Sequence, residues 1–144
     1  MMAGARVSCA RLSVTGALSA AAQRGQQVYT RLGCTRCHDG ARFTDSGANN
    51  PSLDLAGVIT LHDIGTCATA PHADRPTSAY DGRARTACDF DTPSLNGLFD
   101  TAPYFHDGSA LTLQDIIDHK VRVFQLAKPT AQESADLIAY LRSL

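Results

Sequence analysis

The chain has 144 residues, enough for one domain of ordinary size, and its 44% hydrophobic and 19% charged residues are typical of a globular protein. The formal net charge of −1 gives no reason to expect a nucleic-acid partner. No apolar run approaches the length of a membrane span.

Residues 1–19 have the composition of a weak secretory signal or of a linker between domains. Arg6 and Arg11 are basic, and residues 14–22 are small and mildly apolar. A signal peptide has this order of segments, but here Ser, Thr and Gly interrupt a short apolar stretch. Both interpretations stay open, the domain itself is expected over residues 20–144, and Cys9 is left without a role.

The first predicted helix covers residues 19–32. Ser19 is a candidate N-cap, no proline interrupts the segment, and Gly33 stands where glycine is favoured after a helix. Val28 and Leu32 lie one turn apart and are expected to face the core.

Residues 34–38 form a C-x-x-C-H motif, the attachment signature of c-type haem. Two thiols at this spacing, Cys34 and Cys37, can each add to a vinyl group of one porphyrin, and His38 is then the proximal iron ligand. A zinc site would usually need a second ligand pair, and a redox dithiol would be expected on a βαβ pattern. Neither is visible in the sequence. With no Trp and 6% aromatic residues, a porphyrin could complete the core.

Residues 39–91 are expected to be mostly loop, with one short strand or extended run at residues 58–64. A loop this long counts against a compact domain unless it wraps a cofactor. Cys67 and Cys88 bracket a polar stretch and form either a disulfide, as in an oxidising compartment, or two unpaired thiols.

Two further helices are predicted, so the fold class is mostly α with long loops. The second covers residues 111–124, with Thr112 as N-cap, and the third covers residues 130–144 and begins with a Thr-Ala-Gln-Glu capping box. Each carries an apolar face: Leu113, Ile116, Ile117, Val121 and Phe124 on the second, and Leu137, Ile138, Tyr140, Leu141 and Leu144 on the third.

The second axial ligand of the iron would decide between electron transfer and chemistry at an open site. Methionine occurs only at Met1 and Met2, which leaves the tyrosines and the following candidates: His62, His72, His106, His119 and Lys120. Lys120 lies within the apolar stripe of the second helix, whereas His119 points roughly 130° from its centre. Lys120 therefore either binds iron as a neutral amine or extends its amine to water.

His106 lies in a loop with two aromatic residues, a proline and an Asp-Gly turn, at residues 102–108. It is either a buried hydrogen-bonding residue or a group that acts near the haem. His62 and His72 lie in polar segments and are expected to be solvated or hydrogen-bonded locally.

Six segments together form a family pattern: Ala22–Gly25, Cys34–His38, Phe43–Asp45, Asp91–Leu95, Ala102–Ser109 and Leu141–Leu144. In them the chain resembles the bacterial dihaem cytochrome c peroxidase and MauG-type family, matching its C-terminal haem domain from about residue 20 to the end. The resemblance implies a cytochrome c fold with crossing first and last helices, a periplasmic location, and a domain that relays electrons to a second haem, where peroxide is reduced.

The family pattern also implies individual sites. Some members bind calcium through backbone oxygens at positions matching Thr101 and Pro103, and the distal ligand is Met or Tyr at the position of Lys120, beside His119. The sequence departs from the pattern there, and it contains a single haem motif.

Three hypotheses follow. The first is electron transfer by one covalently attached haem c, with a redox partner protein or a second haem domain. The second is peroxidase or oxidase chemistry on hydrogen peroxide at an open iron, with His106 as the candidate catalytic residue and with a partner domain. The third is a domain that has lost haem and has a structural role.

Overall fold

The computed structural model describes residues 16–46, 61–66 and 88–144. In chain order these residues form helix α1 (Ala20–Arg31), strand β1 (Leu61–Asp63), strand β2 (Asp89–Asp91), helix α2 (Leu113–Val123) and helix α3 (Ala131–Leu141). Short 3₁₀ turns occur at Cys34–Arg36 and Leu98–Asp100. Most of residues 1–19 and 39–91, including Cys9, Cys67 and His72, lie outside the described residues.

The predicted helix starts are confirmed, since local side chains satisfy the first free amides of each helix. The Ser19 hydroxyl accepts a hydrogen bond from the Ala22 amide at 3.1 Å. Thr112 with Asp115, and Thr130 with Glu133, form complete capping boxes at α2 and α3.

The apolar faces are buried largely as predicted. Val28, Leu113, Ile117, Leu137 and Leu141 all belong to the core. Phe124 departs from the prediction, because α2 ends at Val123 and the Phe124 side chain is 46% exposed.

Helices α1 and α3 cross in close contact at Gly25. A Cβ placed on Gly25 would lie only 1.9 Å from the carbonyl oxygen of Asp136, so only glycine fits at this crossing. Beside it, the Arg24 guanidinium donates two hydrogen bonds of 2.8 Å to the Asp136 carboxylate. Arg31 makes a second ion pair between these helices with Glu133 at 2.6 Å.

A small antiparallel sheet adds one strand to the single short strand that was expected within residues 39–91. β1 pairs with β2 in the register Leu61 to Asp91 and Asp63 to Asp89. Of the extended run expected at residues 58–64, residues 61–63 are strand. Cys88, directly before β2, is disulfide-bonded, and Cys67, its expected partner, lies outside the described residues.

The segment 61–66 docks onto several parts of the fold. Gly65 has φ +70°, and a Cβ there would approach the Val123 methyl groups to 2.8 and 2.9 Å, so this turn packs directly on α2.

None of the helices in the described ranges is long and apolar enough to cross a membrane.

Candidate haem site

The C-x-x-C-H motif folds into a tight turn at the end of α1. Gly33 adopts φ +75° and stops the helix, and the His38 amide donates to the Cys34 carbonyl at 2.9 Å. The sulfurs of Cys34 and Cys37 are both half-buried and unoxidised. The turn thus presents two thiols and an imidazole immediately after a rigid helix.

Hydrogen bonds fix the His38 ring in one tautomer. Its Nδ1 lies 2.9 Å from the carbonyl oxygen of Phe43, which can only accept, so Nδ1 carries the proton. The lone pair of Nε2 is then available for a metal. Burial lowers the pKa of His38, which keeps the imidazole in the neutral form that binds metals. The Tyr29 hydroxyl donates to the His38 carbonyl at 2.6 Å and anchors the backbone.

The two thiols lack the depressed pKa of a reactive redox pair. Burial raises the pKa of Cys34 to about 11, and it also raises the pKa of Cys37. Reactive dithiols are favoured where the thiol pKa is depressed. The raised values therefore argue against a redox dithiol at this motif.

Lys120 extends from α2 into the surroundings of the two thiols. Its Nζ lies 5.4 Å from the ring centre of Phe105 and 5.2 Å from that of Phe124. The pKa of Lys120 is lowered, chiefly by burial, and its charge in turn lowers the pKa of Cys34, Cys37 and His38. Lys120 and His38 are thus near the same pair of thiols.

His119, the neighbour of Lys120, is engaged elsewhere. Its Nε2 donates to the Ile64 carbonyl at 2.7 Å, and its Nδ1 accepts from the Arg122 guanidinium at 3.1 Å. Its ring also packs on Phe105, with ring centres 4.7 Å apart. Both ring nitrogens of His119 therefore have partners.

His106 is a packed, hydrogen-bonded residue. Its ring stacks on Phe90 with centres 3.8 Å apart, and its Nδ1 shares a hydrogen bond of 3.2 Å with the Thr66 hydroxyl. The loop carrying it is closed by a bridge between Tyr104 and Ala110. Thr101 and Pro103, at the start of this loop, are both exposed, and a calcium ion there stays a prediction.

His62 does not behave as the sequence suggested. It is half-buried on β1, and its Nε2 donates at 2.7 Å to the Asp45 carboxylate, a residue distant in sequence. The Cys37 sulfur, a carboxylate oxygen of Asp45 and a ring nitrogen of His62 all lie within 4.8 Å of one another. The grouping was missed because nothing local in the sequence indicates that β1 lies beside the haem motif.

The described residues fit a covalently attached haem c. Cys34 and Cys37 supply neutral thiols, His38 supplies a neutral imidazole with Nε2 available, and Phe105 supplies an apolar ring nearby. All of these groups come from the turn after α1 and from the segments that face it.

Comparison with known proteins agrees with this fit, although no protein-family model matches the chain. MauG of Methylorubrum extorquens, a methylamine utilization protein, is 32% identical over 140 residues, which is 89% of this chain and 35% of MauG. The cytochrome-c peroxidase IdrP1 of Denitromonas iodatirespirans is 30% identical over 154 residues, covering 89% of this chain and 41% of IdrP1.

A solved structure also shows similarity to MauG. A MauG-like protein associated with microbial copper homeostasis superposes with a TM-score of 0.66 and 25% identity, over 91% of this chain and 48% of that one. The chain therefore spans less than half the length of these relatives. The resemblance to the bacterial dihaem cytochrome c peroxidase and MauG family is thus confirmed, because these relatives are haem-based redox proteins of that family.

Proposed function

We propose that this chain is a c-type haem domain that transfers electrons, one at a time, to or from a redox partner or a second haem domain. The observation that carries the proposal is the His38 ring, held by a hydrogen bond from Nδ1 to the Phe43 carbonyl, in the same turn as the Cys34 and Cys37 thiols. Bound haem supplies an iron centre that cycles between ferrous and ferric states.

The protein's own residues then have defined tasks. Cys34 and Cys37 would hold the porphyrin through thioethers, and His38 would bind the iron. The hydrogen bond from His38 Nδ1 to Phe43 orients the ring and increases its basicity. Phe105 contributes apolar surface that excludes water and so limits reorganisation when charge changes.

We place the domain in the periplasm, where haem c is attached in bacteria. The disulfide at Cys88 supports an oxidising compartment. Calcium at Thr101 and Pro103 is part of the same proposal, and it rests on the family resemblance alone.

A second candidate is peroxidase chemistry. It is favoured by the relatives that are named cytochrome-c peroxidases. His106 would act in it, although its ring is already engaged by Phe90 and Thr66. Because the chain covers only part of those relatives, this activity is expected only together with a partner domain.

The test is expression of the chain with a cytochrome c maturation system. We expect one haem per chain by alkaline pyridine spectrum and by intact mass, and loss of covalent haem in the Cys34→Ala/Cys37→Ala variant. Wild-type protein without attached haem would refute the proposal. Peroxide turnover that disappears in His106→Ala would instead favour the second candidate.

A further inference from the structure

We infer that the side-chain amine of Lys120 is the second axial ligand of the iron, opposite His38. The inference rests on the proposed haem function and extends it, because it defines which group on this chain closes the coordination sphere. It is argued from the surroundings of Lys120 and from the commitments of the other candidate ligands.

Lys120 occupies an unfavourable place for an ordinary lysine. It lies one turn beyond Ile116 and Ile117 on the apolar side of α2, and its Nζ sits above the rings of Phe105 and Phe124. Among the described residues, no carboxylate or carbonyl oxygen accepts a hydrogen bond from this amine. A half-buried ammonium without an anionic partner loses part of its hydration, and a neutral amine bound to a metal avoids that cost.

The amine also lies close to the proposed haem site. Its charge acts on Cys34, Cys37 and His38 together, the three groups that would surround a covalently attached porphyrin.

Each of the other histidines in the described ranges has at least one ring nitrogen engaged by another group. His119 is fixed by Ile64 and Arg122, so neither of its ring nitrogens is free. His62 is hydrogen-bonded to Asp45, and His106 is stacked on Phe90 and hydrogen-bonded to Thr66.

The tyrosines that the structure describes are committed as well. Tyr29 donates to the His38 carbonyl at 2.6 Å, and Tyr104 donates to the Leu98 carbonyl at 3.1 Å. Tyr140 is buried in the core. Lys120 is thus a candidate whose single ligand atom, Nζ, makes no hydrogen bond to another residue of the described ranges.

An amine ligand has a functional consequence. Two nitrogen ligands close the iron to exogenous molecules, which suits a relay rather than a peroxidase. A thioether ligand raises the reduction potential of haem. With an amine ligand instead, we expect the reduction potential of this domain to be lower than with a thioether.

The experiment compares ferric spectra of the haem-loaded full chain in wild-type and Lys120→Ala forms, by electron paramagnetic resonance and near-infrared magnetic circular dichroism. We expect wild type to be low-spin with an amine signature. Lys120→Ala should lose the low-spin signal, become high-spin, and regain low spin when imidazole is added. Lys120→Met should keep a six-coordinate iron and shift the midpoint potential upward. This variant tests the inference if Lys120→Ala does not fold.

Lys128 is the only other lysine in the chain and is exposed, so Lys128→Ala is the matched control and should keep the wild-type spectrum. A low-spin Lys120→Ala protein, a high-spin wild type, or conversion to high spin in His119→Ala alone would overturn the inference. Absence of attached haem in every form would instead refute the proposed function, and the inference with it.

Discussion

Asp136 is a nearly buried acidic residue that joins α3 to α1. Its side chain is 5% exposed, and its carboxylate accepts two hydrogen bonds from Arg24 and one of 3.1 Å from Gln132. The hydrogen bonds from Arg24 hold the pKa of Asp136 below its usual value of 3.8. The charged form of this side chain is therefore the one that stabilises the folded state.

Replacing this carboxylate should change the acid stability of the protein. A lowered folded-state pKa contributes stability that is present above pH 3.8 and is lost as pH falls through the lower value in the folded protein. We expect Asp136→Asn to lower the unfolding temperature at pH 7, and the difference from wild type to shrink below about pH 4. Circular dichroism melts from pH 7 to pH 2.5 measure this.

Asp100→Asn is the control for the loss of one negative charge, because Asp100 is exposed on a 3₁₀ turn. Its melting temperature should follow wild type throughout. A constant difference between Asp136→Asn and wild type at every pH would contradict the assigned ionic role.

Single side chains were the hardest feature to predict from the sequence. The helical wheel placed Lys120 and His119 on different sides of one regular helix, yet both side chains contact Phe105. It could not show that His119 meets the Ile64 carbonyl, or that His62 meets Asp45. Those contacts join residues that are far apart in sequence, and no local pattern encodes them.

At the scale of elements, the crossing of α1 and α3 depends on the absence of a side chain at Gly25. Glycine inside a helix normally costs about 1 kcal/mol relative to alanine. Here the carbonyl of Asp136 occupies the space that a Cβ would need. At position 25, glycine is therefore expected to be more stabilising than alanine.

We expect Gly25→Ala to destabilise the domain by about 1–3 kcal/mol, because the helices must separate to admit the methyl group. Chemical denaturation of wild type and variant measures the change. The matched substitution Gln27→Ala lies on the exposed face of the same helix and should stay within about 0.5 kcal/mol of wild type. A Gly25→Ala protein at least as stable as wild type would show that the crossing is looser than described.

Helix positions followed from the sequence, but strand pairing did not. Ser19, Thr112 and Thr130 mark helix starts because capping acts within three residues. β1 and β2 have three residues each, too short for a periodic signal, and they pair across a long stretch of chain. The sequence could therefore locate the α-helices and not the sheet.

At the scale of the whole molecule, the order of helix, haem motif, long connection and two helices was predicted from the sequence. The crossing of the first and last helices was expected from the family resemblance. Periodicity alone could not give it, since helix packing joins the two ends of the chain. The described core contains tyrosine but no tryptophan, and much of it is aliphatic.

Attached haem should therefore contribute to the stability of the entire domain. Because the thioether bonds persist in the unfolded chain, the gain comes from porphyrin packing and iron ligation in the folded state; a gain of about 3 kcal/mol would raise the melting temperature of a chain of this size by about 10 °C. Calorimetry of the haem-loaded chain and of the Cys34→Ala/Cys37→Ala chain without haem measures the difference. Equal melting temperatures would mean that the polypeptide packs fully without the cofactor.

The short segment 61–66 has a consequence for engineering. Within six residues it reaches Asp45 through His62, α2 through Ile64 and Gly65, and the His106 loop through Thr66. Anyone who grafts this domain onto another scaffold must therefore transfer residues 61–66 together with Asp45, α2 and the His106 loop. Replacing residues 61–66 alone would remove the contacts to all three.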